Sequence, residues 1–322
     1  MEAAMKIRIE DCCFFACGLI FLCLFGADTA VAQRGSTLNR DSEPNDATTV
    51  PVDVAPHLEI ARGASDRWAP PDIDEVQFPV AEAASCPLSD IVSKAGTRVE
   101  ELIRNLDRFA ATEVIQHQSV NHSGNLHRPE SRKFNYVFSM REAPDGYMNV
   151  EEYRNRGTSP EEFPEHIATL GMPSLVLVFH PKYEKNFRMS CEGLGKWQGQ
   201  PAWQVRFEQR SDRINNMSAF IVEGKTYHVN LRGRGWILAD SYQVAHMEMD
   251  LAEAIAKIRL RLQHMAIEYL PVLFPESGVE IWLPSSAELY VDFRGHRFYR
   301  RHTYMNFQLF SVKVQQTFDD VR

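Results

Sequence analysis

The sequence predicts an α+β protein: a large, curved antiparallel β-sheet, an unclosed barrel, covered by one long N-terminal helix and short helices. Three observations predict it. Apolar and polar residues alternate with a period of two in many stretches after residue 110, the pattern of strands with one buried face. One long segment, Leu88–Phe109, has helical spacing instead. Short turns such as Asp145-Gly146 join the strands, which implies antiparallel neighbours.

The chain has 322 residues, 44% of them hydrophobic and 24% charged, so it can bury a full-sized core in one large domain or two small ones. Its formal charge is −8, with no basic block, which argues against a nucleic-acid partner.

Residues Cys12–Gly26 are an unbroken apolar run, preceded by Lys6 and Arg8 and followed by Ala30-Val31-Ala32. This is a secretory leader (residues 1–32) with cleavage expected after Ala32, which places the protein in the periplasm or outside the cell. The run is shorter than the roughly 20 apolar residues of a membrane-spanning helix, and an uncleaved anchor is the alternative. Removing residues 1–32 leaves a charge of about −6.

Four cysteines lie in the leader, so the mature chain keeps only Cys86 and Cys191. In an oxidising compartment these two can form one disulfide tying the start of the domain to its central hairpin. Two separate thiols are the alternative. No metal site is expected from two cysteines so far apart.

Residues 33–85 are rich in Pro, Asp, Ala, Ser and Thr and have no sustained hydrophobic period, which predicts a disordered tether. The domain proper is expected over 86–318, with a tail at 319–322. In Leu88–Phe109 the apolar residues Ile91, Ala95, Val99, Leu102 and Leu106 form one stripe, Pro87 suits a helix start and Ser89 can cap it.

Strands follow at Ala110–Ser119, Phe134–Met140 and Tyr147–Arg154. Phe163–Phe179, broken by Gly171 and Pro173, reads as a pair of short helices. The hairpin Cys191–Arg210 has its turn at Gly199-Gln200, with Trp203, Val205 and Phe207 on one face. Phe220–Asp240 carries strands separated at Gly224-Lys225 and at Gly233-Arg234-Gly235, the latter read as a flexible hairpin turn. Tyr242–Leu251 places Met247, Met249 and Leu251 on one face and His246, Glu248 and Asp250 on the other. Asp250–Pro271 fits a helix and a strand about equally. A phase slip in its alternation favours a short helical piece to Lys257 and then a long bulged strand to Leu273. Val279–Leu283, Ala287–Phe293, His296–Tyr304 and Phe307–Thr317 complete an antiparallel meander.

The order of an amphipathic helix, strands ending near RKFNYVFSM, the segment EGLGKWQGQPAWQVRFEQR, the segment GWILADSYQVAHMEMDL and the ending IWLPSSAELYVDFRGHRFYRRHTYMNFQLFSVKVQ resembles the periplasmic lipoprotein-carrier superfamily, the LolA-like lipoprotein-sorting proteins, over Leu88–Thr317. Within that superfamily it looks most like uncharacterised secreted bacterial proteins. The resemblance implies an unclosed barrel whose apolar hollow holds acyl chains under a helical cover. The long acidic tether and the charges in the C-terminal strands depart from it.

No nucleophile elbow, zinc-protease motif, phosphate-binding loop or paired-cysteine motif occurs, so no enzyme activity and no cofactor are expected. His246, Glu248 and Asp250 have metal-ligating chemistry, but a solvated strand face is the simpler reading. His117, His122 and His127 read as loop residues. His296 and His302 with Arg297, Arg300 and Arg301 form a basic patch, suited to an anionic headgroup or merely exposed. Phe134, Tyr136, Phe138, Trp203, Phe207, Trp236 and Trp282 either line a hydrophobic hollow or fill a core. The function expected is non-catalytic binding of a lipid, an acylated protein or another hydrophobic ligand in the cell envelope, with an envelope protein as a further partner. The alternative is a protein-interaction module with a filled core.

Overall fold

The chain runs in order through β1 (Met5–Ile9), α1 (Leu88–Asn105), β2 (Phe109–Val120), β3 (Glu130–Glu142), β4 (Met148–Arg154), β5 (Ile167–Leu170), β6 (Phe187–Trp197) and β7 (Gln200–Gln209). It continues through β8 (Ser218–Val222), β9 (Lys225–His228), β10 (Leu231–Leu238), β11 (Val244–Leu251), β12 (Leu260–Phe274), β13 (Val279–Phe293) and β14 (His296–Leu309). This computed structural model describes residues 5–9, 68–81, 85–105, 109–143, 148–155, 157, 159–213, 215–275 and 278–309. The apolar run Cys12–Gly26, the cleavage point at Ala32, the tether up to residue 67, the strand expected beyond Leu309 and the tail at 319–322 lie outside the described residues.

Ten strands form one antiparallel sheet in the order β4-β3-β2-β14-β13-β12-β11-β10-β7-β6, and its two edges do not meet. Hairpins build most of it. At the β6–β7 turn Gln198 has φ 46° and Gly199 φ 82°, the two positive values that match the twist of the flanking strands. One face, called inner here, carries the main core under α1 and the segment Met172–Phe179. Helix α1 buries Ile91, Ala95 and Val99 on this core, with Asp90 in its first turn and Arg104 in its last, as the helix dipole favours.

The ambiguous segment resolves into a short 3-10 turn, Ala256–Ile258, followed by β12. The β12–β13 ladder shifts register between Leu260 and Leu262 and again between Glu268 and Tyr269. The second shift explains why β13 is continuous where two strands were expected. Pro284 lies opposite it, so the residue lacking an N–H donor falls where the ladder is already irregular. In the same way β14 runs through Met305–Gln308 with an irregularity rather than a break.

Phe163–Phe179 is not a helix pair. Single 3-10 turns at Pro160–Glu162 and Pro164–His166 precede β5, and a 3-10 run at Met172–Phe179 follows it. Prolines at 160, 164 and 173 stand in the first two positions of their turns, where a missing N–H costs no helix bond, and Pro164 holds Phe163 extended so that the first turn ends there.

Gly233 and Gly235 are not in a turn either. They lie inside β10 on the inner face, where a Cβ at Gly235 would stand 2.6 Å from the Phe179 ring and one at Gly233 would be 2.5 Å from the Phe207 ring. The glycines make room for two aromatic rings, while Arg234 between them points outward.

A second, four-stranded sheet has the order β5-β1-β8-β9, with β1 antiparallel to β5 and parallel to β8. Its strand β1 comes from the part of the chain assigned to the leader.

Trp68–Ala81, the end of the expected tether, lies along the outer face of the ten-stranded sheet. Ile73 N–H donates to Asp250 (2.6 Å), Arg206 donates to Asp74 (3.0 Å) and Ala81 N–H donates to the Leu194 carbonyl (2.8 Å). Arg232 bridges Asp72 and Asp74.

Candidate functional site

Three regions of the large sheet carry chemistry. The first is the apolar half of the inner face. All eight residues of Met172–Phe179 are buried there. Gly171 precedes them in the left-handed conformation (φ 75°), which glycine adopts without strain. Phe179 meets Phe207 edge to face at 6.0 Å, and Phe207 meets Phe187 likewise at 5.7 Å. Tyr269 donates to the Pro173 carbonyl at 3.4 Å. A 3-10 run of eight residues is unusually long, and it lies in the sheet's hollow as a plug. A cavity of about 10 Å³ lies beneath α1, lined by Val99, Leu102, Val176, Tyr269 and Trp282, about the volume of one water.

The second region is the polar half of the same face. Strand alternation places Glu113 and His117 of β2 and Arg300 and His302 of β14 inward. Arg154 forks onto Glu113 (2.5 and 2.8 Å) and also donates to Glu152 (2.9 Å). Glu152 accepts from the Tyr136 hydroxyl (2.6 Å) and from Gly171 N–H (2.9 Å). His302 bridges Glu113 through Nδ1 (2.8 Å) and Thr169 through Nε2 (2.9 Å). Burial lowers the His302 pKa, so the ring is neutral, its Nδ1–H donating to the carboxylate and its Nε2 accepting from the threonine hydroxyl. Burial alone would raise the Glu113 carboxyl. The charge and hydrogen bonds of Arg154, with help from His302, outweigh that and hold it at about 2. Arg300 donates to the carbonyls of Ile167 (2.5 Å) and Pro164 (3.0 Å), and burial lowers its pKa to about 9.

The third region is the outer face beneath Trp68–Ala81. His246 is stacked on Trp197 (centroids 3.9 Å apart) and packed against Trp236 (4.8 Å). Its Nε2 is 3.2 Å from Glu248, and its Nδ1 is 2.9 Å from Glu268, a close ion pair rather than a well-directed hydrogen bond. Burial opposes the charged ring, yet the two carboxylates raise its pKa to about 9. Asp250 accepts from His264 (2.8 Å) and from the Ile73 amide. Phe78 packs edge to face on Trp236 at 4.9 Å, and Arg234 lies over Phe78 while pairing with Glu192.

Because the folded pKa of His246 is raised, its contribution to stability is complete below about 6.5 and is lost as pH climbs through about 9. His246→Gln keeps a donor and removes the titration. The expected result is a wild-type unfolding free energy that falls by roughly 1–3 kcal/mol between pH 6.5 and 9.5 relative to the variant. Urea midpoints at the two pH values measure it, and parallel profiles refute it.

The structure divides the residues expected to share a hollow. Tyr136, Phe138, Trp203 and Phe207 belong to the inner core, and Trp282 packs against both it and the cluster around Trp236. Phe134 packs in a separate cluster with Ile115, Phe163 and Ala168. Trp236 is on the outer face, because its partner in the ladder is Gln204 while Phe207 pairs with Gly233. Cys86 and Cys191 form a disulfide, Cα atoms 6.2 Å apart.

Several polar expectations need correction. His246, Glu248 and Asp250 share a face, but that face is buried under Trp68–Ala81 and not solvated. Among the described residues no group of three or more His, Cys, Asp or Glu is placed to hold a metal. The basic patch also divides, since Arg300 and His302 are fully buried inside while Arg297 and Arg301 lie on the opposite face. His117 is a buried strand residue and not a loop residue. The signal for these inner positions was present in the alternation of Phe298, Arg300, His302 and Tyr304, and of Phe109, Ala111, Glu113, Ile115 and His117.

No protein-family model matches the sequence, and no curated protein matches it. Among solved structures, the chain is similar to a DUF1329 family protein from Desulfovibrio piger, with 9% identity and a TM-score of 0.40 over 72% of this chain and 96% of that one. It is also similar to an outer membrane lipoprotein-sorting protein domain from Vibrio parahaemolyticus, with 10% identity and a TM-score of 0.34 over 72% and 95%.

Proposed function

We propose that the protein is an exported, non-catalytic carrier of an apolar chain, a lipid or the acyl group of an acylated protein, in a closed form. Cleavage after Ala32 releases it into the periplasm or beyond. The carrying observation is the plug: an eight-residue, mostly apolar segment that follows Gly171 occupies the inner face where a ligand chain would lie. It is neither a strand of the sheet nor a full α-helix, so few backbone hydrogen bonds oppose its displacement. The ligand contacts in this reading are Tyr136, Phe138, Trp203, Phe207 and Trp282.

A closed carrier binds with an apparent affinity reduced by the cost of opening. Phe179→Ala removes the ring that wedges the plug between Phe207 and Gly235. Each 1.4 kcal/mol taken from the plug's packing should tighten binding of a fluorescent long-chain fatty acid about tenfold. Fluorescence titration of the two proteins measures this, and organic extraction of the native protein followed by mass spectrometry looks for a bound lipid.

The cavity of about 10 Å³ favours a second reading, a protein-interaction module with a filled core. That reading predicts no fatty-acid binding by either protein and an empty extract.

A further inference from the structure

The four-stranded sheet holds a strand that an exported chain cannot keep. β1 lies between β5 and β8, with Lys6 opposite Leu170 and Ile9 opposite Ile167 on one side, and Met5 opposite Ser218 through Ile9 opposite Val222 on the other. β5 has no other partner in this sheet, and β8 is left with β9 alone once β1 is gone. Met5–Ile9 precedes the apolar run Cys12–Gly26, so cleavage after Ala32 removes it. Two facing strand edges then remain, about two strand spacings (roughly 9.6 Å) apart, with backbone donors and acceptors aimed into the gap.

Both walls are fixed from behind. Arg300 holds the Ile167 carbonyl and His302 holds Thr169 on the β5 side. On the β8 side Phe220 is stacked on Phe293 at 6.0 Å. With β1 in place Ala168, Thr169, Ser218, Ala219 and Phe220 are all buried, so its removal uncovers two edges of the kind that attract another chain.

We propose that, in the exported protein, this slot binds an extended segment of a partner polypeptide by strand insertion, antiparallel to β5 and parallel to β8. Recognition is through the backbone on both sides, and the segment alternates apolar residues as Met-Lys-Ile-Arg-Ile does. The proposal shares export and cleavage with the proposed function but not its apolar ligand: a retained N-terminus counts against both, whereas a peptide that fails to bind leaves the apolar-ligand reading standing.

The test uses the protein recovered after export. N-terminal sequencing should give Gln33 as the first residue. A labelled peptide of residues 1–11 should bind, and the same peptide with Ile7→Pro should bind at least about tenfold more weakly, the equivalent of about 1.4 kcal/mol. Hydrogen exchange should slow at Ile167–Leu170 and Ser218–Val222 when the peptide is added. A retained N-terminus, no peptide binding, equal binding by the two peptides, or protection elsewhere would overturn the proposal.

Discussion

Replacing Arg154 by Met should lower the unfolding free energy by about 3–5 kcal/mol, because it leaves buried carboxylates without their cation. Arg154 is the only arginine bonded to both Glu113 and Glu152 among the described residues, and it is 1% exposed beside a fully buried Glu113. The pH dependence should change sign as well. In the wild type the Glu113 carboxyl is held at about 2, below its ordinary value of 4.5. Its contribution is therefore fully present above pH 4.5 and is lost as pH falls toward 2. Without Arg154, burial is the largest remaining influence and raises the Glu113 pKa, so acidification from neutral pH should stabilise the variant. Adding Glu113→Gln to Arg154→Met should restore part of the loss, since fewer charges remain unpaired. Urea midpoints at pH 7 and 5 decide it. Equal stability of wild type and Arg154→Met at pH 7 would show that the cluster is open to water.

Opening the disulfide should be nearly as costly. Cys86 and Cys191 are 105 residues apart, and a loop of that length corresponds to about 2–5 kcal/mol on cross-linking. The bond ties Cys86, two residues before α1, to β6, where the ladder shifts register between Cys191 and Gly193. Val80 rests on Gly193 at the same place. The bridge thus joins the outer strap, the inner helix and the edge strand. The double variant Cys86→Ala with Cys191→Ala should unfold at a lower temperature than the oxidised wild type. A reducing agent should lower the wild-type midpoint toward that of the variant and leave the variant unchanged. A wild type indifferent to reductant would refute the contribution.

Much of this fold was legible in the residues. The alternation in Phe134–Met140 and Trp203–Phe207, and the phase slip before Met265, each correspond to a strand or an irregularity in the ladder. Three features were not legible, for separable reasons. Gly233 and Gly235 look like turn residues because a sequence does not show which ring needs the space above them. Trp68–Ala81 has the composition of coil, and it is coil in conformation. What seats it is a set of long-range pairs, Asp72 and Asp74 with Arg206 and Arg232, which local pattern cannot reveal. The burial of His246 and its neighbours follows from that strap and was hidden with it. Arg300 and His302 differ, since period-two alternation already aligned them with Phe298 and Tyr304. Charge alone suggested the surface, and their carbonyl, threonine and carboxylate partners make the interior tolerable.

The two borders of the large sheet are unequal. Along β6, Pro79–Ala81 crosses Gly193–Gly195 and takes up the Leu194 carbonyl, whereas β4 pairs on one side only, and its Tyr153 is 61% exposed. A chain with two bare borders can add copies at both ends and grow into a fibre. Covering one border removes one of the places where such growth can start. The strap therefore occupies part of the β6 border, and among the described residues β4 is the barer edge of this sheet.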